Sequence, residues 1–458
     1  MGVNVIEHYQ LLIRETNCIS MEKWIQFAKQ NPHEFTIQYP PRREYFKDNF
    51  RIKIPQVELK YPKNLLLYLH IPFCEAKCYY CNFAVDVRNK ADIQIKYIDS
   101  LSQELNHYKF MLEEGYTFSG IDIGGGTPTM LDNALLEKLL LDLNPFVKTS
   151  KHSFPLSIET TPNIAANNSN MLEMMFARGV NRISMGIQSF NVEKLKDVNR
   201  NLQIEKNEIA TENIRNAGFL RYNTDLIFGL PNQSLSDWEF SLNQIIKLSP
   251  DSITTYDCLY RGKGRALTKK TKEFPSMDDY GRMYDLAYDK LLDAGYFATY
   301  GSVNFSRIRT ETGTSAYFEG RLLDGDNYIG LGNYASSQID NYWFFKTYGV
   351  DNYTKSINNS KLAVDDFYLL PNDELYAKYI LYSLNFGFID SERFNKRFGE
   401  NFWKVFENEI DFAISNKWLN KNAGKLELNY GNFKNINFVR SLFYSSKAKE
   451  WLFKLINK

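Results

Sequence analysis

Three cysteines, Cys74, Cys78 and Cys81, lie within eight positions of a 458-residue chain. They stand in HIPFCEAKCYYCNF with the spacing CxxxCxxC, directly after an apolar run. Thiols packed so closely in a long chain bind metal or do redox work. A structural zinc site closes with four ligands, usually as two Cys-x-x-Cys pairs. No second pair exists here. Cys18 and Cys258 are isolated, and the five histidines, His8, His33, His70, His107 and His152, form no paired ligand motif. An iron–sulfur cube takes four ligands, mostly thiolates. Three thiolates leave one iron open to substrate or cofactor, as the vacant position of a catalytic zinc is open. The stretch points to a cluster that does chemistry rather than one that only relays electrons.

Other chemistry-bearing residues recur downstream. Gly124, Gly125 and Gly126 precede Thr127-Pro128-Thr129. Backbone without Cβ lets a ligand approach, and its N–H groups can hold a carboxylate. Glu159, Gln188 and Asp225 each close a β-rich run. One polar residue in such a place is commonly structural. Three on one rim beside a cysteine cluster describe a cofactor pocket. Arg200 can pair a carboxylate bidentately, or simply carry a solvated helix charge.

The elements that must position these residues show a rhythm. Strand candidates are LLLYLHI (65–71), GIDIGGG (120–126), SFPLSIET (153–160), NRISMGIQS (181–189), YNTDLIFGL (222–230) and DSITTYDCL (251–259). Amphipathic helices lie between them at 98–115, 133–143, 170–179, 206–218 and 235–248. The last opens on a Ser-Asp cap. A βα series builds a parallel sheet covered by helices. Six units predict an α/β fold, a partial (β/α)6 barrel, with chemistry at the carboxyl ends of the strands. The sequence divides into an N-terminal helical arm or lid (1–60), the barrel (61–345) and a small helical, winged-helix-like C-terminal part (346–458).

Composition narrows the class. The chain is 44% hydrophobic, enough for a sizeable core. Its 30 tyrosines and 33 phenylalanines suit core packing or a broad aromatic-lined cavity. Net charge is +1 with no basic block, which argues against nucleic acid as an obligatory partner. No apolar stretch approaches membrane-spanning length and no secretory signal opens the chain, so a soluble, cytoplasmic protein without disulfides is expected.

Taken together these residues resemble the radical S-adenosylmethionine (SAM) superfamily. YLHIPFC, IDIGGGTPTML, SIETTP, NRISMGIQSFN, NTDLIFGLPNQS and YIGLGNYASS resemble its oxygen-independent coproporphyrinogen III oxidase-like family, from about residue 64 to 340. The resemblance implies that Cys74, Cys78 and Cys81 hold a [4Fe–4S] cluster. The amino and carboxylate groups of SAM would chelate the fourth iron, and one electron would cleave SAM to a 5′-deoxyadenosyl radical. It places Tyr68, Gly125, Glu159 and Ser336 against a first SAM. It places Tyr80, Gly126, Thr127, Gln188, Arg200, Asp225 and Leu259 around a second, with Tyr68, Glu159 and Tyr80 nearest the chemistry. It implies a small-molecule substrate and an electron donor such as flavodoxin or ferredoxin.

Two departures matter. The oxidases proper carry a further Cys two residues after the third ligand, where this chain has Phe83. They also carry a His after the last barrel strand, where this chain has Asn304, and no histidine follows His152. Both put propionate decarboxylation in doubt while the second-SAM positions are retained. That combination resembles the subgroup that moves a methyl or methylene group from a second SAM to an sp2 carbon. A haem-chaperone relative shares the Phe, but it lacks the long N-terminal arm.

Overall fold

The computed structural model describes residues 19–31, 35, 39–40, 42–54, 59–258, 267, 270–271, 273–359 and 363–457. Six strands form its centre: β1 (Asn64–Ile71), β2 (Thr117–Gly125), β3 (Leu156–Thr160), β4 (Arg182–Gln188), β5 (Arg221–Phe228) and β6 (Ser252–Asp257). Each pairs in parallel with the next. Helices bridge successive strands, among them Ala91–Asn106, Asn133–Val147, Lys206–Ala217 and Leu235–Leu248. This is the expected βα series, and the partial (β/α)6 architecture follows from it. β7 (Asn304–Ser306) turns antiparallel beside β6, and β8 (Tyr328–Leu331) adds in parallel to β1. The order β8-β1-β2-β3-β4-β5-β6-β7 continues past β8 to eleven strands in one sheet, which curls without closing.

Alternation along β1 shows how the lumen arises. Leu65, Leu67, Leu69 and Ile71 join the core beneath the helices. Leu66 and Tyr68, on the other face, join a separate cluster with Tyr317 and Tyr328. Period-two geometry therefore sends every second strand residue to the helices and the others inward. The cap read in the sequence is present: the Ser234 hydroxyl accepts from the Asp237 N–H at 3.1 Å, and Asp237 accepts from the Ser234 N–H at 2.9 Å. Such a capping box stabilises its helix by about 1 kcal/mol.

The remaining strands extend the sheet past the barrel. β9 (Ser336–Ile339), β10 (Tyr342–Lys346) and β11 (Val364–Leu369) are antiparallel neighbours. Residue 345, where the sequence suggests a boundary, falls inside β10. Hydrophobic periodicity alone could not reveal that pairing. Beyond it, a three-stranded antiparallel sheet, β12 (Phe388–Asp390), β13 (Leu419–Asn422) and β14 (Lys425–Leu428), packs among helices. The described part of the arm lies against these C-terminal helices. The Trp24 indole donates to the Ser441 carbonyl at 3.0 Å, and the Tyr39 hydroxyl donates to Glu374 at 2.5 Å. No helix of the described residues is long and apolar enough to cross a membrane.

Candidate active site

Cys74, Cys78 and Cys81 sit in the loop that leaves the carboxyl end of β1. The loop is pinned at several points by backbone. The Cys74 N–H donates to the Asp86 carbonyl at 3.1 Å, and the Asp86 N–H donates to Pro72 at 2.7 Å. The Tyr79 N–H reaches the Val198 carbonyl at 2.9 Å, and the Asn199 amide reaches the Lys77 carbonyl at 2.9 Å. The turn after β4 is thus stapled to the cysteine loop. All three thiols are partly exposed and free. Among the described residues no group of three or more His, Cys, Asp or Glu side chains is placed to hold a single metal ion. Burial pushes the Cys74 thiol up to about 11 and raises Cys81 too. Neutral thiols of this kind surrender their protons only to a strong cationic centre.

Around the sulfurs stand the other residues of the motif. Thr127 Oγ1 lies 3.8 Å from the Cys74 sulfur. Arg200 Nη1 lies 3.9 Å from the Cys78 sulfur and donates to the Tyr80 hydroxyl at 3.4 Å. Its Nη2 donates to the Gly186 carbonyl. The glycines of β2 are needed where backbones crowd. Gly125 has φ +113°, and a Cβ there would meet the His70 ring at 2.4 Å. A Cβ on Gly126 would meet the Phe73 carbonyl at 2.6 Å. Glu159, at the end of β3, accepts from the Gly125 N–H at 3.3 Å.

His70 is the neighbour that the motif hides. Its Nε2–H donates to the Ala84 carbonyl at 2.9 Å, which leaves Nδ1 to accept from the Tyr68 hydroxyl at 3.2 Å. Burial lowers its pKa to about 4, so the ring is neutral and works as a strut between β1 and the loop. Tyr68 stacks on Tyr317 with ring centroids 5.6 Å apart.

Beneath the loop the lumen is polar. Asp122, Ser157, Glu159, Arg182, Ser184, Asn223, Asp225 and Thr254 line it. Arg182 donates to the Ser157 hydroxyl at 3.1 Å and the Gly313 carbonyl at 3.3 Å. Asp225 accepts from the Asn223 amide at 2.8 Å. Asp122 accepts from the Ser315 hydroxyl at 2.7 Å. Burial pushes Asp122 to about 7, Glu159 to about 8 and Asp225 to about 6. Each of these carboxyls is easier to keep neutral in the fold than in the unfolded chain, so their contribution to stability is full below about pH 4. It is lost as pH rises through 6, 7 and 8. The cofactor-free protein is therefore expected to melt at a lower temperature at pH 8.5 than at pH 5.5. Asp122→Asn should flatten that slope in a calorimetric scan.

Three buried polar atoms here have no partner: Gln188 Oε1, Arg200 Nε and Asp122 Oδ1. Buried polar groups are otherwise nearly always paired. Their convergence fits a polar ligand. Gln188 is held in a left-handed turn, φ +72°, at a bulge in the β4–β5 pairing, which aims it off the sheet. The structure thus gathers Tyr80, Gly125, Gly126, Thr127, Glu159, Gln188, Arg200 and Asp225 around the loop. Ser336 stands apart, on β9, with its hydroxyl 3.4 Å from that of Tyr328. Leu259 and Cys18 lie outside the described residues. Sequence reading missed Asp122, Arg182 and His70. A charged residue inside an apolar strand, as in GIDIG and NRISM, was the available signal for the first two.

Comparison with known proteins accords with this geometry. The family model of the radical SAM superfamily matches residues 68–245. Those residues form a radical SAM domain. It is 28% identical over 386 residues to the oxygen-independent coproporphyrinogen III oxidase of Salmonella typhimurium, spanning 81% of this chain and 83% of that one. It is 26% identical over 352 residues to the heme chaperone HemW of Bacillus subtilis, spanning 75% and 89%. The coproporphyrinogen III oxidase HemN of Escherichia coli, a radical SAM enzyme, shares the fold. The two superpose with a TM-score of 0.70 over 95% of this chain and 98% of that one, at 22% identity. The superfamily's cofactors are a [4Fe–4S] cluster and SAM. Three free thiols on a pinned loop and the orphaned polar atoms beside them fit both.

Proposed function

We propose that this chain moves a methyl or methylene group from a second SAM to an sp2 carbon of an unsaturated or aromatic substrate, by methylation or cyclopropanation. Cys74, Cys78 and Cys81 would hold the cluster, which takes an electron from a donor such as flavodoxin or ferredoxin. Tyr68, Gly125, Glu159 and Ser336 would bind the first SAM. Tyr80, Gly126, Thr127, Gln188, Arg200, Asp225 and Leu259 would bind the second. When bound, cluster and SAM supply a 5′-deoxyadenosyl radical. The catalytic unit is taken as residues 61–345, with the described residues of the arm (1–60) packed on the C-terminal part (346–458).

The chain's own residues orient and shield. Glu159 and Asp225 offer carboxylates to the cationic cofactor across a low-dielectric cavity. Arg200 ties the Cys78–Tyr80 turn to β4, so that loop and second-SAM residues keep one geometry. The neutral His70 keeps charge away from the thiols. The observation that carries the proposal is the pair of orphaned atoms, Gln188 Oε1 and Arg200 Nε, among second-SAM positions. Incubation of reduced holoenzyme with methyl-deuterated SAM tests it. Deuterium is expected in deoxyadenosine and in product, and its absence from both would reject the reading.

A second reading is oxidative decarboxylation of coproporphyrinogen III, favoured by the oxidase that aligns with 81% of this chain. The lumen weighs against it. Its lining sets three acids, Asp122, Glu159 and Asp225, against one arginine, Arg182, with Arg200 and Arg321 acting from beside it, which is a poor reception for propionates. Asn304 is buried on β7 and accepts from the Thr254 hydroxyl at 3.2 Å. An anaerobic assay with that porphyrinogen decides; product formation would install the oxidase. Stoichiometric haem binding without coupled SAM turnover would install the carrier.

A further inference from the structure

A second cavity lies below the lumen, beyond Tyr317. It opens between helix Asn372–Ser383, the segment Gly320–Asp324 and strands β8 and β9. Arg321, Lys378, Arg397 and one acid, Asp326, line it with Tyr328 and Tyr382. Lys378 is 3% exposed. Its ammonium donates to Gln338 Oε1 and sits 4.2 Å above the Trp343 ring. The Arg321 guanidinium stacks 4.6 Å from the Tyr328 ring and donates to the Tyr317 hydroxyl at 3.3 Å. Arg321 Nε is buried with no partner.

What the two cations lack is a counterion. Among the described residues neither has a carboxylate at ion-pair distance, and burial and then the like charge of Arg321 push Lys378 well below the ordinary lysine value, so an anion would be what holds its proton in place. Asp326 answers to Arg397, Lys396 and Arg393 on its other side. The other deeply buried lysine shows the usual solution: Lys346 pairs with Glu104 at 2.6 Å. Magnitudes say that the aromatic rings do not replace an anion. A desolvated cation–π contact is worth about 2 kcal/mol. Burying one ion costs several kcal/mol even after relaxation. A buried ammonium beside a half-buried guanidinium in an open cavity leaves a deficit that a bound anion would remove.

We propose that this cavity binds a small oxyanion, a carboxylate or phosphate group, between Lys378 and Arg321. The planar guanidinium suits two oxygens and the ammonium a third, while Gln338 and the tyrosine hydroxyls complete the shell. The site lies apart from the cysteine loop and from the positions assigned to the second SAM; of the first-SAM positions only Ser336 adjoins it, through Tyr328. It stands whether the reaction above it is carbon transfer or decarboxylation.

Titration of the reconstituted full-length protein by calorimetry, at constant ionic strength with chloride as control, tests this. Inorganic phosphate and acetate are the probes. Saturable one-site binding of at least one is expected. Phosphate alone would identify a phosphate ligand, and acetate alone a carboxylate. Lys378→Met and Arg321→Met should each weaken binding at least tenfold. Lys378→Met should also keep or raise the melting temperature in anion-free buffer, because it removes a buried unpaired charge. A melting temperature of the unmodified protein that rises with the anion supports the site without any variant. No saturable heat and no anion-dependent melting would overturn it. So would binding that both variants leave unchanged, which would mean an adventitious ion only.

Discussion

Cys78→Ala is expected to yield a folded protein that holds almost no iron, shows none of the visible iron–sulfur absorbance and cleaves no SAM. Cys78 is the middle ligand of the CxxxCxxC loop, partly exposed, with its sulfur 3.9 Å from Arg200. Nothing in the apolar core depends on it. The loop keeps its shape through the Tyr79–Val198 and Cys81–Cys78 backbone bonds, which an alanine retains. Losing one of three thiolates leaves two protein ligands for a cube that needs four. Because metal binding at such a loop displaces thiol protons, a missing ligand costs the whole equilibrium rather than a third of it. Cys258→Ala is the matched control. Cys258 is buried in an apolar cluster with Val198, Ile227, Leu230 and Leu267, so its replacement should leave iron content and SAM cleavage near normal. Unchanged iron in Cys78→Ala would remove the cluster assignment and, with it, the proposed reaction.

What the sequence made legible follows from how locally each feature is encoded. Strand rhythm, the Ser234 cap and the cysteine loop depend on residues a few positions apart. The structure places them as read. Residues Glu159, Gln188 and Asp225 were legible as strand-end polars, and their convergence is a consequence of parallel order, in which all carboxyl ends share one rim. The β10–β11 pairing was not legible, because it joins segments on either side of a helix and carries no periodic signature beyond ordinary strand composition. Nor was the Lys378–Arg321 pair. Fifty-seven positions separate the two residues, and each reads alone as a helix charge. Only the packing of helix Asn372–Ser383 under β8 and β9 buries Lys378 and sets it beside the half-buried Arg321. Ser336, on β9, was placed by resemblance, and its hydroxyl meets that of Tyr328 on β8 rather than the cysteine loop.

Glu159→Gln is expected to weaken SAM binding by roughly tenfold to a hundredfold and to remove most of its pH dependence. Glu159 sits at the end of β3 with one oxygen accepting from the Gly125 N–H at 3.3 Å. A Cβ on Gly124 would come within 2.8 Å of the other oxygen, so the glycine run is what admits this carboxyl to the rim. Burial, then Asp225 and Asp122, push it up to about 8. Near neutrality the empty site therefore holds the carboxyl mostly protonated. A cationic ligand is better served by the carboxylate, so its arrival expels a proton. Apparent affinity should then climb as pH rises from 6 toward 8, by at most about tenfold per unit, and level off above. Glutamine keeps the shape and one acceptor but loses the charge. Hydrogen bonds to charged groups contribute about 1.5–3 kcal/mol, and about 1.4 kcal/mol is a factor of ten. Equilibrium dialysis of SAM against the reconstituted enzyme at several pH values separates the cases. A variant that binds as tightly as the unmodified enzyme, with the same slope, would show that the carboxylate faces something other than SAM. Asp225, raised only to about 6, would then be the acid left to meet the cofactor's charge.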